Sequence, residues 1–592
     1  MEKWFIKNKK ANFKVIADTF GISETLAKLV VNRDIKSNEE LEAYLKPSLD
    51  HLHGPEKMKD MEKSCNLLMQ KIQEGAKIRI VGDYDVDGVM ATYILYTGLS
   101  KCGANVDFEI PERIKDGYGI NISIIDAAIA DGVDTILTCD NGIAAIEQVK
   151  HAKEQGLTVI ITDHHDIPFV EEEGERTFLL PNADAVVNPK QHDCEYPFEG
   201  ICGGVVAYKL VEHLYKKMGI AKEELTELLE FAAIATVCDV MDLVGENRDI
   251  VYFGLQQINK TTNLGLRALI DAAGITGKKI AVYHLGFVIG PCINASGRLE
   301  SAKLALELFL SKEKNHAELL AKELKELNDD RKEMTLEGVE EAIMKIEQEG
   351  LLEDKVLVVY LPSCHESLAG IIAGRIKERY HKPAIVLTKA HEGVKGSARS
   401  IEAYNMFEEL TKVKDNFSKF GGHPMAAGMS LQGDNVEKLR RELNENCVLE
   451  EKDLIKKYTI DCAFNIANIN NQLVYDIGML EPFGKGNHRP ILGDKAVEVS
   501  KIIAFGEESN VIKFEFGNNP DGMIFDNVEN VSNNIKAWYG EEYGEIISYD
   551  RYKTITIPEN CKMDILYSPT FNKYNGNINI QLKIVDYRRK KV

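Results

Sequence analysis

Between residues 60 and 250, short apolar runs alternate with segments whose apolar residues recur at helical spacing. Such alternation predicts strands joined by helices, and therefore a parallel sheet. Two of the predicted helices cover residues 89–101 and 144–155. The predicted strands cover residues 77–81, 105–110, 134–138, 158–162 and 185–188.

The pattern changes at residue 251. Residues 251–345 are mostly helical in pattern, and residues 311–350 predict one long helix that bridges two lobes. A second strand-and-helix pattern then begins, with strands at 356–360, 384–388 and 396–400 and a helix at 367–380.

From about residue 455 the helical period is lost, and short β-type runs such as 510–516 and 577–585 alternate with Gly, Asn and Pro turns. This pattern predicts a small β-barrel. The fold class is therefore α/β, with a parallel-sheet lobe and a smaller α/β lobe joined by a long helix, plus a C-terminal barrel. The predicted parts are an N-terminal helical segment (1–60), the first lobe (61–250), a helical connector (251–350), the second lobe (351–450) and the barrel (455–592).

Acidic and imidazole side chains follow several predicted strands. Ligands of open parallel sheets bind beyond the carboxyl ends of the strands, which is where Asp83, Asp140 and Asp163 fall. Crowded carboxylates repel one another unless a cation neutralises them, and mixed oxygen and imidazole ligands suit Mn²⁺ or Mg²⁺. The candidate residues are Asp83, Asp85, Asp87, Asp140, Asp163, His164, His165 and Asp239.

The spacing of these residues suggests how they converge. On an extended segment, Asp83, Asp85 and Asp87 would face one side, and the helix that follows would point its N-terminus at a phosphate. Because six candidate ligands exceed what one ion takes from a protein, we expect two ions. Each element alone also has an ordinary interpretation: an acidic turn, a core or surface histidine pair, or, for Asp239, a helix N-cap.

A second group of motifs is cationic. Arg113 follows a strand, Arg298 lies in a Gly-containing turn, and Gly396-Ser397-Ala398-Arg399-Ser400 places hydroxyls beside a guanidinium. Arg suits bidentate phosphate capture, although a lone Arg more often forms a surface salt bridge. Gly421-Gly422-His423 offers backbone amides and an imidazole to an anion.

Composition narrows the setting. The net charge is −21, but residues 455–592 hold 17 Lys+Arg and 18 Asp+Glu, so overall acidity leaves room for a local basic groove. Eleven cysteines, none in a Cys-x-x-Cys pair, argue against structural zinc and disulfides and favour the cytoplasm. We see no apolar run of the roughly 20 residues that span a bilayer, and no signal-peptide pattern, so no membrane partner is expected.

In combination these motifs resemble the DHH phosphoesterase superfamily. Gly82-Asp-Tyr-Asp-Val-Asp-Gly88, Asp140-Asn-Gly-Ile143, Asp163-His-His165 and the Asp239 segment occur in the family's order, and the Gly396 and Gly421 motifs resemble its partner domain, DHHA1. Further pieces are similar to the branch of single-stranded-DNA-specific exonucleases. They are Ile110–Gly119, Gly245–Arg248, Ile293–Arg298 and Glu481–Asn487.

The resemblance implies a 5′→3′ exonuclease that degrades single-stranded DNA to mononucleotides by two-metal-ion hydrolysis, with Mn²⁺ or Mg²⁺, in DNA repair and recombination. It implies that the C-terminal barrel is an OB fold, and that His165, next to Asp163, faces the scissile phosphate. The implied metal ligands are Asp83, Asp85, Asp87, Asp140, His164 and Asp239. The implied DNA and phosphate contacts are Arg113, Asn294, Arg298, His365, Ser397, Arg399, Gly422 and His423.

The chain departs from the family pattern at Ser367 and Leu368, at Cys292 and at Asp242, none of which is an implied ligand. Two other functions stay open. A DHH phosphodiesterase for short oligonucleotides would generally lack residues 455–592, and a non-catalytic DNA-binding replication scaffold would tend to have lost ligands that are present here. The expected partners are single-stranded DNA, a helicase and a single-strand-binding protein, and the expected state is a monomer.

Overall fold

The computed structural model describes residues 2–35, 37–172, 175–390, 393–574 and 576–589. Two units divide the chain: a central unit, residues 49–456, and a terminal unit that joins residues 1–48 to residues 457–592. The N-terminal elements are β1 (Lys3–Ile6), α1 (Phe13–Phe20), α2 (Glu24–Val31) and α3 (Asn38–Leu45). Asn12, Ser23 and Ser37 cap the three helices by accepting hydrogen bonds from backbone N–H groups of the first turn.

The first lobe of the central unit contains the predicted parallel sheet, with strand order β3-β2-β4-β5-β8. Its strands are β2 (Lys77–Val81), β3 (Asn105–Glu109), β4 (Thr135–Cys139), β5 (Thr158–Thr162) and β8 (Ala185–Val187), and a separate hairpin consists of β6 (Phe169–Glu172) and β7 (Glu175–Phe178). The helices are α4 (Met61–Gln73), α5 (Val86–Lys101), α6 (Ile122–Ala130), α7 (Ile146–Glu154), α8 (Gly203–Met218), α9 (Thr226–Cys238) and α10 (Gly245–Ile258).

Both faces of this sheet are covered. Ile78 and Ile80 belong to the large core beneath α5, α8 and α9, whereas Val81 and Ile136 belong to the core on the opposite face. Strands buried on both faces explain why their sequences are nearly continuous apolar runs. Since all five strands are parallel, their carboxyl ends lie at one edge.

The predicted long helix joins the two lobes. Four helices lead to it from the first lobe, and a π-helical turn, Leu285–Ile289, connects the second of these to the third. α15 packs Ala317 and Leu324 into the first-lobe core, and Ala342 and Ile346 into a core of the second lobe. The helices of this region are α11 (Leu264–Ala272), α12 (Val282–His284), α13 (Gly290–Leu299), α14 (Lys303–Leu310) and α15 (Lys314–Gln348).

The second lobe contains a mixed sheet with strand order β12-β13-β11-β10-β9. β9 and β10 pair in parallel, and the other pairs are antiparallel. Its elements are β9 (Leu357–Tyr360), α16 (Ala369–Tyr380), β10 (Ala384–Lys389), β11 (Val394–Arg399), α17 (Met406–Lys412), β12 (Phe417–His423), β13 (Ala426–Leu431) and α18 (Val436–Glu445).

The C-terminal part of the terminal unit is mainly β-structure, as the pattern predicted. Its strands form a sheet with order β15-β16-β22-β23-β19-β18-β17-β21-β20. Among the described residues, this order does not pair the two end strands, β15 and β20, with each other, so closure into a barrel stays a prediction. The elements are β14 (Lys457–Ile460), β15 (Cys462–Ala463), α19 (Asn471–Gly478), β16 (Leu492–Glu498), β17 (Lys501–Phe505), β18 (Val511–Glu515), β19 (Gly522–Phe525), α20 (Val528–Tyr539), β20 (Ile546–Ser548), β21 (Lys553–Ile555), β22 (Lys562–Tyr574) and β23 (Asn577–Arg589).

The structure groups the N-terminus differently from the predicted separate segment 1–60. β1 pairs in parallel with β14, and Leu26, Leu29 and Val30 of α2 enter one core with residues of the C-terminal sheet. So short a segment cannot bury an adequate core alone, and it shares one with distant residues.

A buried carboxyl in α9, the helix that ends at Asp239, gives a prediction about stability. Glu230 is 4% exposed and accepts a hydrogen bond from Thr261 Oγ1 at 2.9 Å. Burial raises its pKa to about 7, so the stability associated with its protonated form is lost as the pH rises from the unfolded pKa through 7. We therefore expect Glu230→Gln to stabilise the fold little at pH 5 and by up to roughly 3 kcal/mol at pH 8. Denaturant unfolding across this pH range measures the difference, and a constant difference would contradict the prediction.

Candidate metal centre

The first acidic motif lies at the junction of β2 and α5. Asp85 is the N-cap of α5, and its Oδ1 accepts a hydrogen bond from Gly88 N at 3.0 Å. The prediction that Asp83, Asp85 and Asp87 alternate along an extended segment is therefore wrong, because the cap starts the helix three residues earlier than the apolar pattern indicated. The carboxylates converge at a tight turn instead, where a Cβ on Gly88 would lie 2.5 Å from Asp83 O.

Asp87 is fixed by the start of another helix. Gly203 N and Gly204 N, in the first turn of α8, donate hydrogen bonds of 2.7 Å to its two carboxylate oxygens. A helix N-terminus favours an anion, so the first turn of α8 is a suitable partner for a carboxyl group at this position. The approach needs glycine, since a Cβ on Gly203 would lie 2.6 Å from the Cβ of Asp140.

His164 lies at the centre of the cluster. Its Nε2 is 3.0 Å from Asp140 Oδ1, 3.5 Å from Asp87 Oδ2 and 3.7 Å from Asp239 Oδ2. Two groups of candidate ligand atoms share His164, one with Asp140 and His165 and one with Asp87 and Asp239, and the atoms of each lie within 4.8 Å of one another. The sequence predicted that these side chains lie at one edge of the sheet. In the structure, the ligand atoms of each group are close enough to bind the same cation.

Asp239 is the C-cap of α9, so the N-cap interpretation of this residue is wrong. Its side chain is 28% exposed, which makes it the more open member of its group beside Asp87 and His164. A ligand at the mouth of a metal centre leaves a side from which substrate can approach.

The electrostatics fit divalent cations. Burial, followed by the charge of Asp85, raises the pKa of Asp83 to about 8. Burial and the neighbouring carboxylates likewise raise the pKa of Asp85 and, by a large amount, that of Asp140. Asp140 Oδ1, His164 Nε2 and Asp83 Oδ2 are buried, and none of these three atoms forms a hydrogen bond with a described residue. The first two are 3.0 Å apart but are not aligned for one. Buried oxygen and imidazole nitrogen atoms without hydrogen-bond partners are a suitable ligand set for Mn²⁺ or Mg²⁺.

Asp163 has a different environment from the other carboxylates. Its Oδ1 accepts hydrogen bonds from the backbone of His164 and His165 and contacts His165 Nδ1 at 2.8 Å, while Oδ2 accepts one from Ile143 N. Burial opposes ionisation, but these hydrogen bonds, led by that from His165, lower the pKa of Asp163. These contacts with Asp163 orient the imidazole ring of His165.

Tyr118 is a site residue that the sequence did not single out. Its Oη donates a hydrogen bond to the carbonyl oxygen of Asp140 at 2.7 Å and lies 3.1 Å from His165 Nε2. The sequence feature that could have identified Tyr118 is the Gly117-Tyr118-Gly119 segment, whose glycines have φ of 80° and 69° in the structure. Only a backbone that turns this sharply carries Tyr118 over the ends of the strands.

A cationic cavity of about 530 Å³ lies between the lobes of the central unit. It is lined by Tyr84, Arg113, Arg298, Ser397 and Arg399, among others. The guanidinium of Arg113 lies 4.8 Å from the ring centre of Tyr84, and Arg399 donates a hydrogen bond to Ser397 Oγ at 3.1 Å. Burial, and then the charge of Arg113, lowers the pKa of both Arg298, to about 10, and Arg399. Crowded guanidinium groups of this kind attract an anion.

Arg298 lies in the last turn of α13, so the predicted Gly-containing turn is wrong at this position. The helix persists because Gly297 packs against the backbone of the first motif, where a Cβ would lie 2.3 Å from Tyr84 O. Arg298 donates a hydrogen bond to the carbonyl oxygen of Ser367 at 2.7 Å and so links the two lobes. Asn294, half-buried, lies one helical turn earlier.

The other predicted phosphate contacts lie in the second lobe. His365 caps a short 3₁₀ turn, and its Nδ1 is 2.7 Å from Ser367 Oγ. Gly422 and His423 end β12.

The parallel-sheet lobe with carboxylates at its strand ends, and the mixed-sheet lobe that follows it, coincide with matches to a DHH-family model and a DHHA1 model. Family models match residues 77–236 (DHH family, N-terminal domain), 353–448 (DHHA1 domain) and 460–586 (RecJ OB domain). The chain is 31% identical to the single-stranded-DNA-specific exonuclease RecJ of Haemophilus influenzae, over 95% of each protein. It belongs to the RecJ family.

Other comparisons agree. The RecJ of Bacillus subtilis is 38% identical over 83% of this chain, which spans 61% of the length of that relative. The crystal structure of Thermus thermophilus RecJ in complex with Mn²⁺ has a TM-score of 0.80 and 24% identity, and covers 100% of this chain and 80% of its own. A second structure, exonuclease RecJ bound to manganese, has a TM-score of 0.58 and 29% identity over 69% of this chain and 98% of that one.

The acidic cluster predicts metal-dependent stability. Adding Mn²⁺ to chelator-treated protein is expected to raise the temperature of thermal unfolding by a few degrees, because the ion binds only the folded state. Asp140→Asn should raise the metal-free unfolding temperature, since it removes a repelled charge, and should lose most of the response to Mn²⁺. Asp193→Asn, at an exposed aspartate paired with Lys59, is the matched control. An unchanged response in Asp140→Asn would contradict the assignment.

Proposed function

We propose that this protein is a metal-dependent exonuclease that hydrolyses single-stranded DNA from the 5′ end and releases mononucleotides. The observation that carries the proposal is the juxtaposition of two sites in one unit: a buried cluster of unpartnered carboxylate and imidazole atoms, and a cavity lined by guanidinium groups. A phosphodiester that carries a 5′ phosphate has the charge pattern that both sites fit. The names of the RecJ relatives support the same activity.

In this proposal two divalent ions, Mn²⁺ or Mg²⁺, are held by the cluster around His164. Such ions would supply an activated water and neutralise charge on the scissile phosphate. The proposed ligands are Asp83, Asp85, Asp87, Asp140, His164 and Asp239. The work of the protein is to hold these groups at fixed positions, through the amides of Gly88, Gly203 and Gly204.

His165 is the residue that we place against the scissile phosphate. Asp163 contacts its Nδ1, which leaves Nε2, beside Tyr118 Oη, as the donor on the substrate side. An N–H aimed at a phosphate oxygen stabilises charge that develops during displacement. Asp163 is then a positioning residue, and Tyr118 joins it in holding the imidazole.

The cavity between the lobes is the proposed seat of the terminal 5′ phosphate. Arg113, Arg298 and Arg399 supply charge there, and Ser397 supplies a hydroxyl. Asn294, His365, Gly422 and His423 are proposed to contact the phosphates nearby. Because the cavity lies next to the metal centre, it would set the polarity of cleavage by fixing where the strand begins.

Further parts of the proposal concern the cell. All eleven cysteines are free, which fits work in the reducing cytoplasm, and in the described residues no helix has the length and apolarity that crossing a bilayer requires. We propose that the protein acts as a monomer in DNA repair and recombination, on strands opened by a helicase and coated by a single-strand-binding protein. The terminal unit, which contains the RecJ OB domain, would bind the same strand.

End-labelled strands test the activity directly. With Mn²⁺ present, a 5′ label on single-stranded DNA is expected to appear at once as a mononucleotide, whereas a 3′ label should pass through progressively shorter fragments. Asp140→Ala should abolish both patterns while the protein still binds the strand, because the residue is a proposed ligand and not a DNA contact. A 5′ label that passes through intermediate fragments would reject the proposed polarity.

The cavity predicts sensitivity to the terminal phosphate. Arg399→Ala is expected to lower kcat/KM for 5′-phosphorylated strands by about 10- to 100-fold, because a charge-assisted hydrogen bond is lost, and to affect 5′-hydroxyl strands much less. Arg375→Ala, at an exposed guanidinium on α16, is the matched control. Equal losses on both substrates would remove the cavity from the proposal.

A further inference from the structure

Two exposed aromatic rings take no part in the functions assigned above. Tyr283 and Phe287 are 64% and 70% exposed, and their rings are stacked, with centroids 5.3 Å apart and planes 24° apart. Exposed rings gain nothing from core packing. They are available to a flat ligand.

The backbone that carries these rings is tied to the metal centre. Phe287 lies in the π-helical turn Leu285–Ile289, a type of turn that is frequent at functional sites. Cys238, which precedes Asp239, donates a hydrogen bond through Sγ to the carbonyl oxygen of Leu285 at 3.5 Å. The turn that carries Phe287 is thus held against the residue that precedes Asp239, the more open of the proposed ligands.

The surroundings of the rings are cationic. Lys278 and Lys279 are exposed shortly before Tyr283 in the chain. Burial, followed by the charge of Lys278, lowers the pKa of His284, whose ring centre is 5.7 Å from that of Tyr283. Stacked aromatics beside positive charge are the combination with which proteins bind single-stranded nucleic acid.

The helix that follows sets a direction. α13 begins at Gly290, where a Cβ would lie 2.5 Å from Cys238 Sγ, and ends beyond Gly297, where a Cβ would lie 2.3 Å from Tyr84 O. It therefore passes the metal centre from the Asp239 side to the side of the cationic cavity. Phe287, three residues before α13, and Arg298, in the last turn of α13, are roughly 15 Å apart along the helix axis.

We propose that Tyr283 and Phe287 form a stacking platform for bases that lie two or more nucleotides to the 3′ side of the scissile phosphate. This inference rests on the proposed function, in which the 5′ phosphate lies at the Arg298 end. A strand that starts in the cavity and crosses the metal centre then leaves over the platform, with Lys278 and Lys279 near its backbone. The platform holds the strand after each cleavage and presents the next phosphodiester.

Kinetics on two substrate lengths test the platform. Phe287→Ala is expected to lower kcat/KM on a long 5′-phosphorylated strand by about 10-fold, since one base loses its stacking partner, and to leave cleavage of a 5′-phosphorylated dinucleotide unchanged. Phe287→Trp retains a stacking surface and should keep the activity of the unaltered protein on the long strand. Leu319→Ala, at a 63% exposed position on α15, is the matched control and should change neither substrate.

Equilibrium binding adds a readout that is independent of cleavage. In chelator, a long strand with 2-aminopurine as its third or fourth nucleotide should show quenched fluorescence with the unaltered protein, and much less quenching with Phe287→Ala. Equal kcat/KM and equal quenching in the two proteins would overturn the platform, even where the unaltered protein degrades DNA normally. An unaltered protein that degrades no single-stranded DNA, yet shows quenching that depends on Phe287, would instead reject the proposed function. A Phe287→Ala loss that is equal for dinucleotide and long strand would also overturn the platform, because it would reflect damage to the metal centre.

Discussion

The mutual repulsion of buried carboxylates is the constraint around which the first lobe is built. Asp83, Asp87 and Asp140 are almost inaccessible to water, and each lies close to further negative charge. Two backbone amides at the start of α8 offset part of this charge, and the rest calls for cations. The apolar core beneath the sheet holds the acidic groups together in spite of their repulsion, because α5, α8 and α9 are packed too tightly to move apart.

The same lobe places opposite charges side by side. The carboxylate cluster is adjacent to Tyr84, and the ring of Tyr84 lies under the guanidinium of Arg113 in the cationic cavity. Without bound cations the carboxylates would offset part of the positive charge of the cavity. Two divalent cations in the cluster would neutralise most of its negative charge, so that the positive charge of the cavity could act on a phosphate. The charge of the metal is therefore part of the binding surface as well as of the chemistry.

The sequence predicted the elements whose signals are periodic. The parallel sheet and α15 follow from the spacing of apolar residues, and the positions of Asp140 and Asp163 follow from the rule for strand ends. The start of α5 did not follow, since the hydrogen bond that makes Asp85 a cap outweighs the apolar pattern. The pattern also did not predict that Arg298 lies in a helix. Asn, Ser and Gly favour turns locally, but there the close contact of Gly297 with Tyr84 required a small residue inside a helix. The link of α2 to the C-terminal sheet is a long-range contact, and local patterns carry no information about such contacts.

The discontinuity of the terminal unit has a consequence for biosynthesis. A nascent chain that has emerged as far as residue 456 contains every member of the metal centre and of the cationic cavity, because both belong to the central unit. At that moment Leu26, Leu29 and Val30 still lack the sheet residues that will cover them. The N-terminal helices therefore expose an apolar face until the final strands have been synthesised. During this period a chaperone can bind that face.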